Sequence, residues 1–135
     1  GDSRDSVALG KYQFTLSACH ECHTPLEKGK FDESFAMAGG RAFQLPGGML
    51  RSANITPDKK TGIGNWTREM FITRFTQYRD SAQAHRTVAP GELQTIMPWT
   101  MYATMKDEDL NNIYSYLRTL VPVSHEVIKY QAGAR

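Results

Sequence analysis

Five consecutive residues, Cys19-His20-Glu21-Cys22-His23, bring two thiols and an imidazole together in the spacing C-x-x-C-H. That spacing is the attachment signature of a c-type haem. The order of the residues follows from the chemistry. Each thiol can add across one porphyrin vinyl group to make a thioether, and the adjacent histidine then lies beneath the iron. Covalent attachment holds His23 beside the metal, so the fifth ligand needs little further ordering. A bare C-x-x-C also occurs in thioredoxin-like redox sites, zinc half-sites and ordinary disulfides. Zinc wants four ligands, and the chain has no second C-x-x-C and no H-x-x-x-H pair. The two histidines outside the motif, His85 and His125, are far apart in sequence, and no βαβ pattern surrounds the cysteines. The motif predicts covalent haem.

A haem iron held by one histidine needs a sixth partner or keeps an open site. Six methionines are available: Met37, Met49, Met70, Met97, Met101 and Met105. Methionine is most often flexible core filler. Met97 differs because Pro98 follows it, and a residue before proline is pushed toward extended backbone that can present its side chain out of a loop. Met101 and Met105 follow at intervals of four and are expected on a short turn packing against the last helix. His85 falls in the polar, irregular stretch from Asp80 to Gly91 and reads as exposed, which makes it the weaker candidate. Arg41 and Arg51 are candidates for pairing with the haem carboxylates, with solvated surface charge as the alternative for each.

With 135 residues, 40% apolar and 22% charged, the chain reads as one globular domain. Residues 1–65 and 66–135 each hold eight basic and seven acidic residues, so no basic block points to nucleic acid or an anionic membrane. No apolar run approaches the ~18 residues of a membrane span. Gly1-Asp2-Ser3 carries no signal-peptide pattern, as expected of a mature or trimmed form.

Residues 5–18 read as a helix leading into the motif, with Val7, Tyr12, Phe14 and Leu16 as its apolar surface. Gly10 within it costs about 1 kcal/mol against alanine, which makes sense if another helix approaches closely. Residues 24–65 are punctuated by glycine and proline and read as long loop, with Phe31, Phe35, Phe43, Leu45 and Leu50 facing the haem or the core. Trp66 opens a helix with Thr67 as N-cap, and Phe71, Phe75 and Tyr78 on one face ending near Arg79. The last helix carries Asp107, Glu108 and Asp109 in its first turn, where negative charge suits the dipole. Leu110, Ile113, Tyr114, Leu117 and Leu120 follow, and Pro122 stops it. This divides the chain into a domain over 1–121 and a tail over 122–135.

These blocks, in this order, resemble the class I c-type cytochromes over nearly the whole chain. Within that class the resemblance is to cytochrome subunits and domains accompanying membrane-bound alcohol and gluconate-type dehydrogenases. The matching residues are Gly10-Lys11-Tyr12, Asn54-Ile55-Thr56-Pro57-Asp58, Thr61-Gly62-Ile63-Gly64-Asn65-Trp66, Met97-Pro98-Trp99, Tyr102, and Asp107-Glu108-Asp109-Leu110 through Tyr116-Leu117. The resemblance implies an all-α class I fold, its N- and C-terminal helices crossing, with Gly10 against Tyr114 or Leu117, and long loops wrapping one haem c. It implies His23 as proximal and Met97 as distal ligand, with Asn54 and Trp66 joining Cys19, Cys22, Arg41 and Arg51 as cofactor-binding candidates.

The implied function is electron transfer, from a dehydrogenase or quinol-oxidising complex to an oxidase or another cytochrome. The implied location is periplasmic or otherwise extracytoplasmic, with any membrane anchor in a segment not in this chain. The competing reading is a haem enzyme or gas sensor with an open or displaceable sixth site. Two departures stand out. Such relatives often carry several haem domains, whereas this chain has one motif. Lys106 also stands where a Ser or Thr cap is usual, leaving Asp107 or Thr104 as the expected cap.

Overall fold

The structure is a computed structural model that describes residues 3–80 and 97–133. Ser3 starts the first helix, its hydroxyl accepting the Ser6 amide at 3.0 Å, and α1 runs Arg4–Leu16. It ends two residues earlier than expected, where Ala18 adopts a left-handed φ of 59°. Phe14 is buried, but Tyr12 and Leu16 are 64% and 68% exposed. The buried stripe is Gly10 and Phe14, four residues apart on one face, so the apolar surface expected from Tyr12 and Leu16 lies outside it. The haem motif forms a single helical turn, α2, Cys19–His23.

The 24–65 region departs from an all-α reading. It holds a small hairpin, β1 Leu26–Glu27 with β2 Lys30–Phe31, and a longer one, β3 Ala42–Leu45 with β4 Gly48–Arg51. The Lys28-Gly29 turn has positive φ at both residues, 50° and 76°, the geometry that suits a two-residue hairpin. Glycine and proline therefore mark turns between very short strands. β5, Tyr130–Ala132, pairs antiparallel with β4, giving the sheet order β3-β4-β5. The segment expected as a tail thus returns to the body of the protein.

Helix α3, Arg68–Thr76, is capped by Thr67, whose hydroxyl accepts the Met70 amide at 3.1 Å, and continues as a 3-10 turn to Arg79. A short helix α4, Trp99–Tyr102, follows Pro98. Helix α5 spans Asp107–Leu117. Neither expected cap serves it: Lys106 occupies the cap position with no side-chain bond, while the Thr104 hydroxyl donates to the Met101 carbonyl at 2.6 Å. The acidic first turn against the helix dipole is what remains to favour that end.

The α1–α5 crossing is the principal helix contact. A Cβ on Gly10 would overlap the Asn112 carbonyl and press on Tyr116 Cβ, so the glycine partners are Asn112 and Tyr116 rather than Tyr114 or Leu117. Gln13 Nε2 donates to Asp109 Oδ1 across the crossing at 2.6 Å. Phe14, Met37, Ile63, Phe71, Phe75, Leu110, Ile113, Tyr114 and Leu117 form the core. Of the five apolar loop residues, only Leu50 is fully buried. Phe31 packs on His20 and Phe35 on His125, at 5.1 Å each between ring centroids.

Candidate haem-binding site

The break at Ala18 swings the motif turn off the axis of α1, so that Cys19, Cys22 and His23 all line one cavity. Burial pushes the Cys19 thiol up to about 12, against an opposing backbone hydrogen bond. A thiol held that way is a poor redox thiolate.

His23 Nδ1 sits 2.7 Å from the Ala53 carbonyl. A carbonyl only accepts, so Nδ1 carries the proton and Nε2 keeps its lone pair. Burial lowers the His23 pKa, with the Ala53 bond opposing, so the ring is neutral and fit to ligate. The Ala53 carbonyl is reached through a tight approach. Gly39 has φ +75° and a Cβ there would overlap the Ala53 backbone, while its amide donates to the His23 carbonyl at 2.8 Å.

The cavity holds about 420 Å³. Its wall is mostly apolar, built from Leu50, Ile55, Ile63, Phe71, Phe75, Leu110, Ile113 and Leu117, with Phe43, Trp66, Trp99 and Tyr102. Among the described residues three cations line it, Arg51, Arg74 and Lys129, and no carboxylate does. An apolar cavity edged by cations fits a flat apolar group that bears acids. Trp99 adds a second sign of fit: its buried Nε1 donor has no partner among the described residues, a costly state unless a ligand accepts from it. The Trp99 ring stacks on Tyr78 at 5.2 Å and lies 4.0 Å beneath the Arg74 guanidinium. Haem, with its porphyrin and two carboxylates, matches this wall.

Two methionines line the cavity, Met97 and Met105. Met101 is 59% exposed, Met70 is 50% exposed, and Met37 is buried against Thr24. Met101 therefore does not join the packing expected of it. Met97 precedes α4, and the Tyr102 hydroxyl of α4 donates to the Ser17 carbonyl at 2.6 Å, tying the Met-Pro loop to the turn before the motif. His85 lies outside the described residues.

The other candidates separate. Arg51 and Trp66 line the cavity, and the Trp66 carbonyl accepts the Tyr114 hydroxyl at 2.6 Å. Arg41 does not line it: the guanidinium donates to the Glu21 carbonyl and lies 5.0 Å over Phe43. Asn54 lines the cavity, yet its amide is committed to protein. Its Nδ2 donates to Thr61, Val123 and His125, and its Oδ1 accepts from Thr56. Ala53, Arg74, Lys129 and Val127 do not stand out in the sequence. A backbone carbonyl leaves no residue-type signal, and the cations reach the wall only through tertiary packing.

Residues 7–121 match the family model described as Cytochrome c. The chain belongs to the cytochrome c family. Its cofactor is accordingly a covalent haem c, and the protein is an electron carrier. The chain is 37% identical over 119 residues to the "Fructose dehydrogenase cytochrome subunit" of Gluconobacter japonicus, covering 87% of this chain and 22% of that protein. It is 35% identical to the "Alcohol dehydrogenase (quinone), cytochrome c subunit" of Gluconobacter oxydans (strain 621H), over 82% of this chain and 20% of the other. With the "Gluconate 2-dehydrogenase cytochrome c subunit" of Pantoea cypripedii the identity is 33%, over 87% and 24%. The chain thus spans less than a quarter of the length of these three relatives. As a cytochrome c domain it has the fold of that family, with the two small sheets added to its helices.

Proposed function

We propose that the chain carries one haem c, bonded through Cys19 and Cys22, with His23 and Met97 as axial ligands. In this reading it passes single electrons from a dehydrogenase or quinol-oxidising complex to an oxidase or another cytochrome, outside the cytoplasm. The observation that supports it is that one cavity is lined both by a neutral His23, its Nδ1 occupied by Ala53, and by Met97 on the Met-Pro loop. Bound there, the haem supplies a one-electron iron couple, and histidine with methionine raises its potential and favours the ferrous state.

The residues do the rest. Cys19 and Cys22 fix the porphyrin edge, Ala53 fixes the imidazole, and the Tyr102–Ser17 bond fixes the Met97 loop relative to the motif. The apolar wall excludes water, and Arg51 and Arg74 oppose the haem carboxylates. The likeness to subunits of fructose, alcohol and gluconate dehydrogenases supports a dehydrogenase as electron donor and an extracytoplasmic setting. No helix among the described residues is long and apolar enough to cross a membrane, so anchoring would fall to a partner or to another segment. The competing enzyme or sensor reading asks for polar distal chemistry. The described cavity wall offers it no carboxylate and no second histidine.

The test is Met97→Ala beside Met105→Ala in the haem-loaded protein. Met97→Ala should abolish the far-red iron–sulfur band of the oxidised form, lower the potential and admit carbon monoxide to the reduced form. Met105→Ala should keep the band. The reverse pattern would move the ligand to Met105, and carbon monoxide binding by the unmutated protein would favour the open-site reading.

A further inference from the structure

Residues 123–132 lie beyond the stretch that matches the family, 7–121, yet they build part of the cavity wall. Asn54, 5% exposed, donates from Nδ2 to the carbonyls of Val123 and His125, at 2.9 and 3.2 Å. The Val123 amide donates to Thr56 Oγ1 at 3.1 Å and the His125 amide to Thr61 Oγ1 at 2.9 Å. Farther along, the Arg51 amide donates to the Lys129 carbonyl at 2.8 Å, and β5 then pairs with β4. The segment is a strap laid along residues 48–61 and bonded at both ends. On one side its Val127 and Lys129 line the haem cavity. On the other runs an open groove of about 430 Å³, which shares only Arg51 and Val127 with the cavity. The strap lies between the haem cavity and this groove.

Charge gives the strap a second role. Lys129 and Arg51 sit together on the cavity lining, and among the described residues no carboxylate lines it and neither cation joins an ion pair. We propose that the strap is a positioning element for the haem, closing its pocket, and that Lys129 is the cation it contributes opposite a haem carboxylate. Reduction removes one positive charge at the iron, so a nearby cation disfavours the oxidised state more than the reduced one. Lys129 thereby holds the potential up. The proposal rests on the haem reading, and covalent haem attachment is checked first, so a chain without haem bears on that reading alone.

The experiment compares Lys129→Gln and Lys129→Arg in the full haem-loaded chain, measuring midpoint potential at low and high ionic strength. Lys129→Gln should lower the potential by an amount that shrinks as salt is added, with an unchanged melting temperature, and Lys129→Arg should restore it. Ending the chain after Pro122 should leave the haem attached and lower the potential further. If Lys129→Gln leaves the potential unmoved at low salt, the proposal is overturned and Lys129 is a solvated surface charge. The point variant decides between these even where the shortened chain fails to fold. Lys129 holds the strap by its backbone carbonyl, so the point variant leaves the Asn54, Thr56 and Thr61 bonds and the Ala53–His23 bond in place.

Discussion

Where α1 crosses α5, two helices meet through the absence of a side chain at Gly10, and the neighbours Phe14, Leu110, Ile113 and Leu117 seal the seam with apolar area. Where residues 39–61 meet the strap, the side-chain bonds are polar and the contact is built on hydrogen bonding. That seam is made of Asn54, Thr56, Thr61 and backbone groups, each satisfying another. The first seam depends on shape and the second on complete hydrogen bonding. They should fail differently: overpacking breaks a close-packed crossing, while removal of one donor strands several buried acceptors.

The largest effect is expected at the crossing. Gly10→Leu places four carbons where even one overlaps the Asn112 carbonyl, so the helices must separate or tilt. The expected cost is about 3 kcal/mol, the upper part of the usual range for overpacking. Thermal unfolding of the haem-loaded protein measures it. An unchanged melting curve would mean that the crossing does not carry the fold.

Asn54→Ala tests the other seam. It removes the donor to Val123 and His125 and the acceptor for Thr56 while adding no bulk. About 2 kcal/mol is expected, from buried carbonyl and amide groups left without partners. The loss should show first as faster exchange of the Arg51 amide, the strap's next attachment point. If stability falls while that amide stays protected, Asn54 braces its own loop and the strap holds without it.

The same contrast explains what the sequence reveals. The crossing is legible because it is written in residue types: a glycine in a helical stretch, an apolar face repeating every three or four residues, three acids at a helix start. The C-x-x-C-H motif is legible because covalent chemistry demands those residues at that spacing, and Pro98 marks Met97 as the methionine to look for, which the fold places on the cavity lining. The loop wall is not. The group that orients His23 is a carbonyl, which every residue has. Asn54 is marked by its place in the Asn-Ile-Thr-Pro-Asp block, but its side chain serves the strap. The short strands hide behind the glycines that make their turns. Lys129 and Arg74 look like any surface cations until the chain is folded around the cavity.

The smallest effect sharpens the comparison at the edge of the polar seam. Asp58 Oδ2 accepts from the Thr61 hydroxyl at 2.6 Å and the Thr61 amide at 2.7 Å, and these bonds, the side-chain one first, hold its pKa below the ordinary 3.8. The Thr61 hydroxyl in turn accepts the His125 amide of the strap. A carboxylate whose folded pKa is depressed contributes stability that is full above its ordinary value and lost as pH falls through the folded one. The strap should therefore loosen selectively in acid, below about pH 4 on that scale, before the apolar crossing responds. Asp58 lies at the solvent edge of the seam, so the effect is small and is read locally, by exchange at the Arg51 and His125 amides as pH is lowered. Asp58→Asn should abolish the acid step at those amides and leave exchange in α1 and α5 unchanged. If α1 and α5 open together with the strap at every pH, the two seams are one cooperative unit, and their division into shape and hydrogen bonding describes how each is built but not how each fails.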